Sequence, residues 1–118
     1  MTQWRDDLPI FLQIRQRMID MILGGSINEG DALPSVRQVA TELSVNPLTV
    51  TKSYQSLVDL GTVEKRRGMG MYVTDGARAK LLSHEREKFL NEDWPAIAKR
   101  IAALGLNAKD LIEDGDWK

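Results

Sequence analysis

The sequence contains no cysteine, which excludes a disulfide framework and any metal site built on thiolates. It also lacks a run of about 18 consecutive apolar residues, the length that a membrane-spanning helix needs. The first residues, "MTQWRDD", do not have the basic-then-apolar layout of a secretory signal. These absences predict a cytoplasmic protein without membrane association.

An excess of positive charge is missing as well. The net charge is –1, the isoelectric point is near 5.8, and a division after Gly76 leaves neither part of the chain basic. With 42% hydrophobic and 28% charged residues, the 118 residues have the composition of one soluble globular domain with an appendage. A nucleic-acid partner would therefore require a local arrangement of cations.

Residues that commonly carry catalysis are sparse. The single histidine, His84, lies on the charged face of a predicted helix, and no two carboxylates can be placed together in a cleft. The "GMG" at residues 68–70 lacks the following helix that a phosphate-binding loop requires. We therefore expect no enzymatic activity, no metal site and no cofactor.

Three helices are predicted in the first half of the chain. Helical spacing of apolar residues predicts the first in "PIFLQIRQRMIDMILGG", which Gly24 and Gly25 end. After the polar "SINEGDALP", Ser35 and Gln38 form a capping-box pattern that opens a short second helix. Only "SVN" separates this helix from the third, and so short a connection is typical of a helix-turn-helix.

The third helix, in "VNPLTVTKSYQSLVDLG", begins at Pro47. Asn46 can cap it, and a proline costs nothing at the first helical position because that position needs no N–H donor. One side presents apolar residues to a core. The N-terminal half of the opposite side has no acid and offers Leu48, Thr51, Lys52 and Gln55, with Thr49 at its margin. A DNA major groove accepts such groups, and an ordinary solvated surface is the alternative.

Two further groups of cations accompany this helix. Arg37 lies in the first turn of the second helix, where a bound phosphate would also meet free backbone N–H groups. The alternative is an ion pair between Arg37 and Asp31 or Glu42. The cluster "KRRG" lies in a predicted β-hairpin with Gly68 and Gly70 at its turn, facing a DNA backbone or minor groove.

Residues 77–118 predict a helical appendage. Its first helix is "ARAKLLSHEREKFLNE", its second is "DWPAIAKRIAALG", opened by Asp93 and ended by Gly105, and its last is "NAKDLIED". The apolar stripes of these helices must pack on the preceding residues of the chain or on a second subunit. We favour a second subunit, and the residues predicted for that contact are Trp94, Ile97, Ile101, Leu104 and Leu106.

In this order the motifs closely resemble the GntR family of bacterial transcription regulators. The form Asn-Pro-x-Thr-Val-x-Lys-x-Tyr and the short helical C-terminus are most similar to its YtrA-type subfamily. The resemblance implies a mostly α fold: a winged helix-turn-helix of three helices and a β-hairpin wing in residues 1–76. It also implies that residues 77–118 form a short C-terminal helical dimerisation arm.

Matched position by position, the resemblance implies DNA contacts from the second helix, the third helix and the wing. The residues are Arg37, Asn46, Leu48, Thr49, Thr51, Lys52, Arg66, Arg67 and Gly68. Two positions depart from the family pattern. Ser44 stands where glycine is frequent in the turn, and Met69 stands at a wing-tip position that is often basic.

The function implied is that of a sequence-specific DNA-binding transcription regulator, a repressor that binds a pseudo-palindromic operator in double-stranded DNA as a homodimer. The appendage is too short for a separate ligand-binding domain, so an effector pocket would lie at the dimer seam. The alternative function is a winged-helix module that docks proteins and does not bind DNA, which the acidic isoelectric point permits.

Overall fold

The computed structural model describes residues 4–114, and the chain divides into two compact units, Met1–Leu82 and Ser83–Lys118. We call the first the winged unit, and from here on the appendage means the second unit, which is shorter than the predicted appendage of residues 77–118. The elements in chain order are α1 (Ile10–Leu23), α2 (Val36–Leu43), α3 (Pro47–Asp59), β1 (Val63–Arg66), β2 (Gly70–Val73), α4 (Ala77–Lys88), a π-helical segment (Phe89–Asp93), α5 (Trp94–Ala103) and α6 (Ala108–Asp114). Three helices followed by an antiparallel hairpin confirm the predicted winged helix-turn-helix.

The core of the winged unit lies around α3, against which both α1 and α2 pack. Two polar side chains of α3 enter this core with their hydrogen bonds satisfied. The Ser53 hydroxyl donates to the carbonyl of Phe11 at 2.6 Å, and the Tyr54 hydroxyl donates to the carbonyl of Pro34 at 2.7 Å. Burial raises the pKa of the Tyr54 hydroxyl, which keeps it a neutral donor. Both bonds fix the position of α3 relative to the preceding segments.

The helix-turn-helix begins as predicted and departs from the prediction in one contact. The hydroxyl of Ser35 accepts the backbone N–H of Gln38 at 3.0 Å, but the predicted return bond, from the backbone N–H of Ser35 to the side-chain oxygen of Gln38, is wrong. The Gln38 side chain points along α2 instead, where its NH2 group donates to the Glu42 carboxylate at 3.2 Å, because a charged acceptor four residues on shares its helix face. Ser44 ends α2 in the left-handed conformation, at φ 54°.

A third extended segment, missing from the prediction, joins the hairpin. Residues between α1 and α2 pair with β2. The N–H groups of Gly30 and Leu33 donate to the carbonyls of Val73 and Met71, and the N–H of Val73 donates to the carbonyl of Asp31. Ala32 lies opposite Tyr72 in this pairing. The wing is therefore anchored on one edge to the segment that leads into α2.

The start of α4 belongs to the winged unit, because Ala77 and Leu81 are buried in its core. Two sets of contacts tie this start to α1 and to the segment between α1 and α2. The Glu29 carboxylate accepts the backbone N–H groups of Gly76 and Arg78, at 2.9 and 3.1 Å. The guanidinium of Arg78 in turn donates to the last carbonyls of α1, at Ile22 and Leu23. The functional boundary at Gly76 stays a prediction.

In the appendage, the predicted helix start at Asp93 is wrong. Asp93 has helical dihedral angles and makes no capping bond, and the chain stays helical from α4 into α5 through the π-helical segment. Pro95 explains this change, because it lacks an N–H and its ring crowds the carbonyl four residues earlier. The N–H of Trp94 bonds five residues back, to Phe89, which relieves the crowding. Gly105 ends α5 as predicted, at φ 69°.

Within residues 4–114, no helix is long and apolar enough to cross a membrane.

Candidate nucleic-acid interface

The N-terminal end of α3 is built as predicted. The Asn46 side-chain oxygen accepts the N–H of Leu48 at 2.8 Å, and Pro47 occupies the first helical turn. The residues of the predicted polar face are exposed, with Thr49 half-buried at its margin. Leu48 is 75% exposed, an unusual position for a large apolar side chain at the start of a helix. The helix thus presents an apolar tip next to amide, hydroxyl and ammonium groups.

The hydrogen bonds of α3 decide which groups remain for a ligand. The Thr51 hydroxyl donates to the carbonyl of Pro47 at 3.1 Å, so it offers its methyl group and its acceptor lone pairs outward. Asn46 uses its oxygen as the cap, so its amide N–H groups are what it can donate. The amide N–H groups of Asn46 and the ammonium group of Lys52 give the N-terminal end of α3 a positive, hydrogen-bond-donating character.

Lys52 is positioned by a residue that the sequence analysis did not assign to the site. Its Nζ lies 4.2 Å from the centroid of the Phe11 ring at the start of α1. This distance gives a cation–π contact, which favours one orientation of the flexible side chain. The sequence placed Phe11 in an apolar stripe, and no local pattern indicates that its ring would meet a lysine 41 positions later.

Arg37 is exposed at the start of α2 and forms no ion pair within residues 4–114. The two acids that were its alternative partners are used elsewhere. Asp31 accepts the backbone N–H of Asn28 at 2.9 Å, and Glu42 accepts the amide of Gln38. The guanidinium therefore stands at a helix N-terminus, where an anion is favoured.

The wing holds its cations in two ways. The guanidinium carbon of Arg66 lies 4.2 Å from the centroid of the Tyr72 ring, and its Nε lies 3.2 Å from a Glu64 carboxylate oxygen. Arg67 is exposed in the turn beside Gly68, which has φ 74°. Arg66 is thus oriented by two neighbours, whereas Arg67 projects from the tip of the hairpin.

The residues predicted for dimer contact lie along α5 and just after it. Trp94, Ile97, Leu104 and Leu106 are between 37% and 55% exposed in the single chain, and Ile101 is half-buried. Phe89 extends this surface, since its ring centroid lies 6.5 Å from that of Trp94. The appendage therefore carries several exposed apolar residues, and their role in a dimer contact stays a prediction.

No group of three or more metal-ligating side chains lies together within residues 4–114. A cleft of about 320 Å³ lies between α1 and α2 and is lined by Arg17, Met18, Asp20, Met21, Pro34, Val39, Glu42 and Leu43. It is large enough for a small molecule. An effector pocket at the dimer seam stays a prediction.

Comparisons with known proteins complete the description of these elements. The model of the family described as bacterial regulatory proteins, gntR family, matches residues 11–73. The chain is 32% identical over 112 residues to the HTH-type transcriptional regulator YhcF of Bacillus subtilis (strain 168), covering 95% of this chain and 91% of that protein. It is 42% identical over 78 residues to the HTH-type transcriptional repressor YtrA of the same organism, covering 66% of this chain and 60% of that protein.

Among solved structures, a GntR family transcriptional regulator from Listeria monocytogenes aligns with a TM-score of 0.75 at 31% identity. The alignment covers 93% of this chain and 95% of that one. The similarity to YhcF and to this structure therefore extends past the wing and over most of the appendage.

Proposed function

The chain belongs to the GntR family of bacterial regulatory proteins, and from that premise we propose that it represses transcription by binding a pseudo-palindromic operator as a homodimer. It is of the YtrA type within the family. It is a DNA-binding transcription regulator with a winged helix-turn-helix, and it is not an enzyme. The operator contacts, the dimer and repression make up the proposal.

The single observation that carries the proposal is the character of the exposed face at the start of α3. Its N-terminal half bears Leu48, Thr51 and Lys52 without an acid, and its one acid, Asp59, lies at the other end. Asp59 also accepts the Gln55 amide at 3.0 Å. The N-terminal half would enter the major groove, since a carboxylate there would be repelled by the phosphates on either side.

Direct contacts with bases would come from this half of α3. Leu48 and the outward methyl of Thr51 suit the methyl group of thymine, and the Asn46 amide can donate to base acceptors. Thr49, at the margin of the face, can contact either a base edge or a sugar. Lys52 would neutralise a phosphate or donate to a guanine.

Contacts with the phosphate backbone would come from three arginines on different elements. At the N-terminus of α2, Arg37 presents a guanidinium that has no ion pair among the described residues. Arg66 and Arg67 present theirs from the wing, and Gly68 permits a close approach because nothing lies within 4 Å of the position of a Cβ. These contacts set the register of the protein on DNA and carry no sequence information themselves.

A homodimer would place two copies of α3 about 34 Å apart, one turn of B-DNA, on the two half-sites of the operator. The exposed apolar residues of the appendage supply the dimer contact in this proposal: Trp94, Ile97, Ile101, Leu104 and Leu106. Apolar surface of this kind is stabilised when a second copy removes it from water.

Repression is proposed because the YtrA protein of Bacillus subtilis, to which this chain is similar, is a transcriptional repressor. A dimer seated on promoter DNA blocks access of other proteins to it, and this requires no further domain. We infer a cytoplasmic location from the same role, since the bacterial chromosome lies there.

A second candidate is a winged-helix module that docks a protein, and the isoelectric point near 5.8 is the observation that favours it. A fluorescence anisotropy titration separates the two functions. Labelled DNA from upstream of the protein's own gene is compared with scrambled DNA of equal length, at about 50 and 200 mM salt.

The proposal expects affinity for the upstream DNA at least about 10³-fold above that for scrambled DNA. It also expects a steep loss of affinity at the higher salt, because bound cations displace counterions. Binding that is equal on both DNAs, or no binding to either, would favour the protein-docking module.

A further inference from the structure

We propose that Met69 is an apolar wedge that enters the minor groove of the operator and partly unstacks a pyrimidine–purine step. This inference rests on the proposed function, since it requires that the wing lie on DNA. It assigns a role to the wing-tip position at which the chain departs from the family pattern.

The geometry of the wing tip sets Met69 apart from the rest of the hairpin. The N–H of Met69 donates to the carbonyl of Arg66 at 2.9 Å, which closes the turn and fixes the residue at its outer end. Its side chain is 63% exposed. Met71, two residues further on, packs against the core of the winged unit. The hairpin therefore packs one methionine, half-buried, against the core and leaves the other in water, where an apolar side chain gains nothing for the fold.

The residues on both sides of Met69 allow it to approach DNA closely. Gly68 and Gly70 both have positive φ, at 74° and 97°, and each has open space where a side chain would begin. Glycine is the residue that takes such angles without strain. The side chain of Met69 therefore extends from a narrow backbone ridge with no neighbouring side chain at those two positions.

The charges beside Met69 suit a groove flanked by two phosphate backbones. Arg66 is oriented by Tyr72 and Glu64, and Arg67 is exposed in the turn. With these cations on the phosphates, the exposed side chain of Met69 at the same wing tip would be free to enter the groove. A basic residue at this position would take one more phosphate, whereas methionine is among the apolar residues that act as wedges between base pairs.

A wedge gives sequence preference without hydrogen bonds to bases. Pyrimidine–purine steps such as TA and CA unstack most easily, so the operator would carry one of them beneath each wing. The bound DNA would bend away from the wing, toward the major groove that α3 occupies.

The experiment starts with selection of binding sites from a random DNA library by the full-length protein. The fluorescent base 2-aminopurine then replaces adenine, one position at a time, in the selected site. If Met69 unstacks the base step beneath the wing, the fluorescence of 2-aminopurine rises when it is placed at that step. Met69→Ala should lose this rise and should bind sites with a rigid step at that position as well as sites with a flexible one. We expect the wild-type protein to prefer the flexible step about tenfold, within the range that one wrong base pair costs.

Ile112→Ala is the matched control, because it removes an apolar side chain that is equally exposed, at 63%, from α6, outside the proposed interface. It should bind and unstack DNA like the wild-type protein. The wedge is overturned if the wild-type protein binds its selected site with no fluorescence rise under the wing. It is also overturned if Met69→Ala retains the rise. Failure of the library to yield any specific site would instead contradict the proposed function.

Discussion

The ammonium group of Lys52 lies over the Phe11 ring, 4.2 Å from its centroid, at the point where the Ser53 hydroxyl bonds the carbonyl of the same phenylalanine. A single residue at the start of α1 thus holds both the backbone and one cation of α3. The side chain of a proposed DNA contact is therefore ordered before DNA arrives, which lowers the entropy lost on binding.

Replacement of Phe11 by leucine should weaken specific binding about two- to tenfold, because binding must then order the Lys52 side chain, which costs roughly 0.5–1.5 kcal/mol. Leucine keeps an apolar side chain against α3, so the substitution should change the orientation of Lys52 and leave the packing of α3 in place. Fluorescence anisotropy with the operator measures the affinity, and thermal unfolding shows whether the fold is retained.

Lys52→Met provides the matching arm of a double-mutant cycle. If Phe11 acts through Lys52, Phe11→Leu has no further effect on affinity once the lysine is gone. An equal loss in both backgrounds would show that Phe11 contributes only to packing.

Arg66 and Thr49 should differ in what their loss does to DNA binding. Arg66→Ala removes a phosphate contact, so it should weaken binding to all sequences alike and reduce the slope of log affinity against log salt by about one. Thr49→Ala should mainly relax base preference, since its contact is proposed at a base edge. Competition between operator and single-base variants measures both effects. The same loss on every sequence for both variants would contradict this division of roles.

Ser44 is the single non-glycine residue with positive φ within residues 4–114, and we predict that Ser44→Gly stabilises the protein. The left-handed conformation costs an L-residue roughly 1–2 kcal/mol, and the extra freedom of glycine in the unfolded chain offsets about 0.5–1 kcal/mol of the relief. The net gain of up to about 1 kcal/mol corresponds to a rise of several degrees in melting temperature.

The control is Ser83→Gly, an exposed position within α4 where glycine should lower stability by about 0.5 kcal/mol. A fall in melting temperature for both variants would show that Ser44 is not strained.

Glu29 should make stability depend on pH. The backbone N–H groups of Gly76 and then of Arg78 hold the pKa of its carboxyl below the ordinary value of about 4.5. A depressed folded-state pKa adds stability that is fully present above the unfolded value and is lost as pH falls through the folded one. Glu29→Gln should therefore lower the melting temperature at pH 7 and match the wild type at an acid pH below the lowered pKa of the Glu29 carboxyl.

Glu87→Gln is the control for the loss of one carboxylate, since Glu87 is exposed on α4 and accepts no backbone N–H within the described residues. Its difference from the wild type should stay small at both pH values. A Glu29→Gln difference that persists unchanged at low pH would contradict a role for the ionised carboxylate.

Ile97→Glu should dissociate the proposed dimer without unfolding the chain. The side chain is 45% exposed in the monomer, so the substitution is tolerated there. In a dimer it would bury an unpaired charge, which costs roughly 3–5 kcal/mol and raises the dissociation constant more than about 100-fold.

Sedimentation velocity over a range of protein concentrations measures this change. Lys99→Glu places the same residue on the opposite side of α5 and should remain dimeric. A wild-type chain that sediments as a monomer at all concentrations would refute the dimer itself.

Local chemistry explains what the sequence predicted correctly. The start of α3 depends on Asn46 and Pro47 alone, so the cap and the exposed face were predictable from a few neighbouring residues. The hairpin around Gly68 and the end of α5 at Gly105 are equally local. The residues named for the DNA interface stay predictions, although the structure places them where the sequence expected them to be exposed.

Contacts between distant segments explain what the sequence analysis missed. The pairing of Ala32 with Tyr72 and the bonds of Glu29 to the start of α4 each join segments about 40 or more residues apart. No periodicity marks such pairs. The π-helical segment was missed for a different reason. An aspartate shortly before a proline is a common helix start, but the helix continues from α4 through Phe89, so Asp93 lies in its interior.

The π-helical segment holds one residue more than an α-helix would hold in the same turn, because its hydrogen bond reaches back five residues instead of four. Each residue of an α-helix advances the direction of its side chain by about 100°. Deletion of one residue between Phe89 and Asp93 would therefore return this segment to the α-helical register and leave the direction of Ile97 and Ile101 nearly unchanged relative to the end of α4. Deletion of two residues there would rotate this stripe, the proposed dimer surface, by about 100° while every side chain on it stays the same.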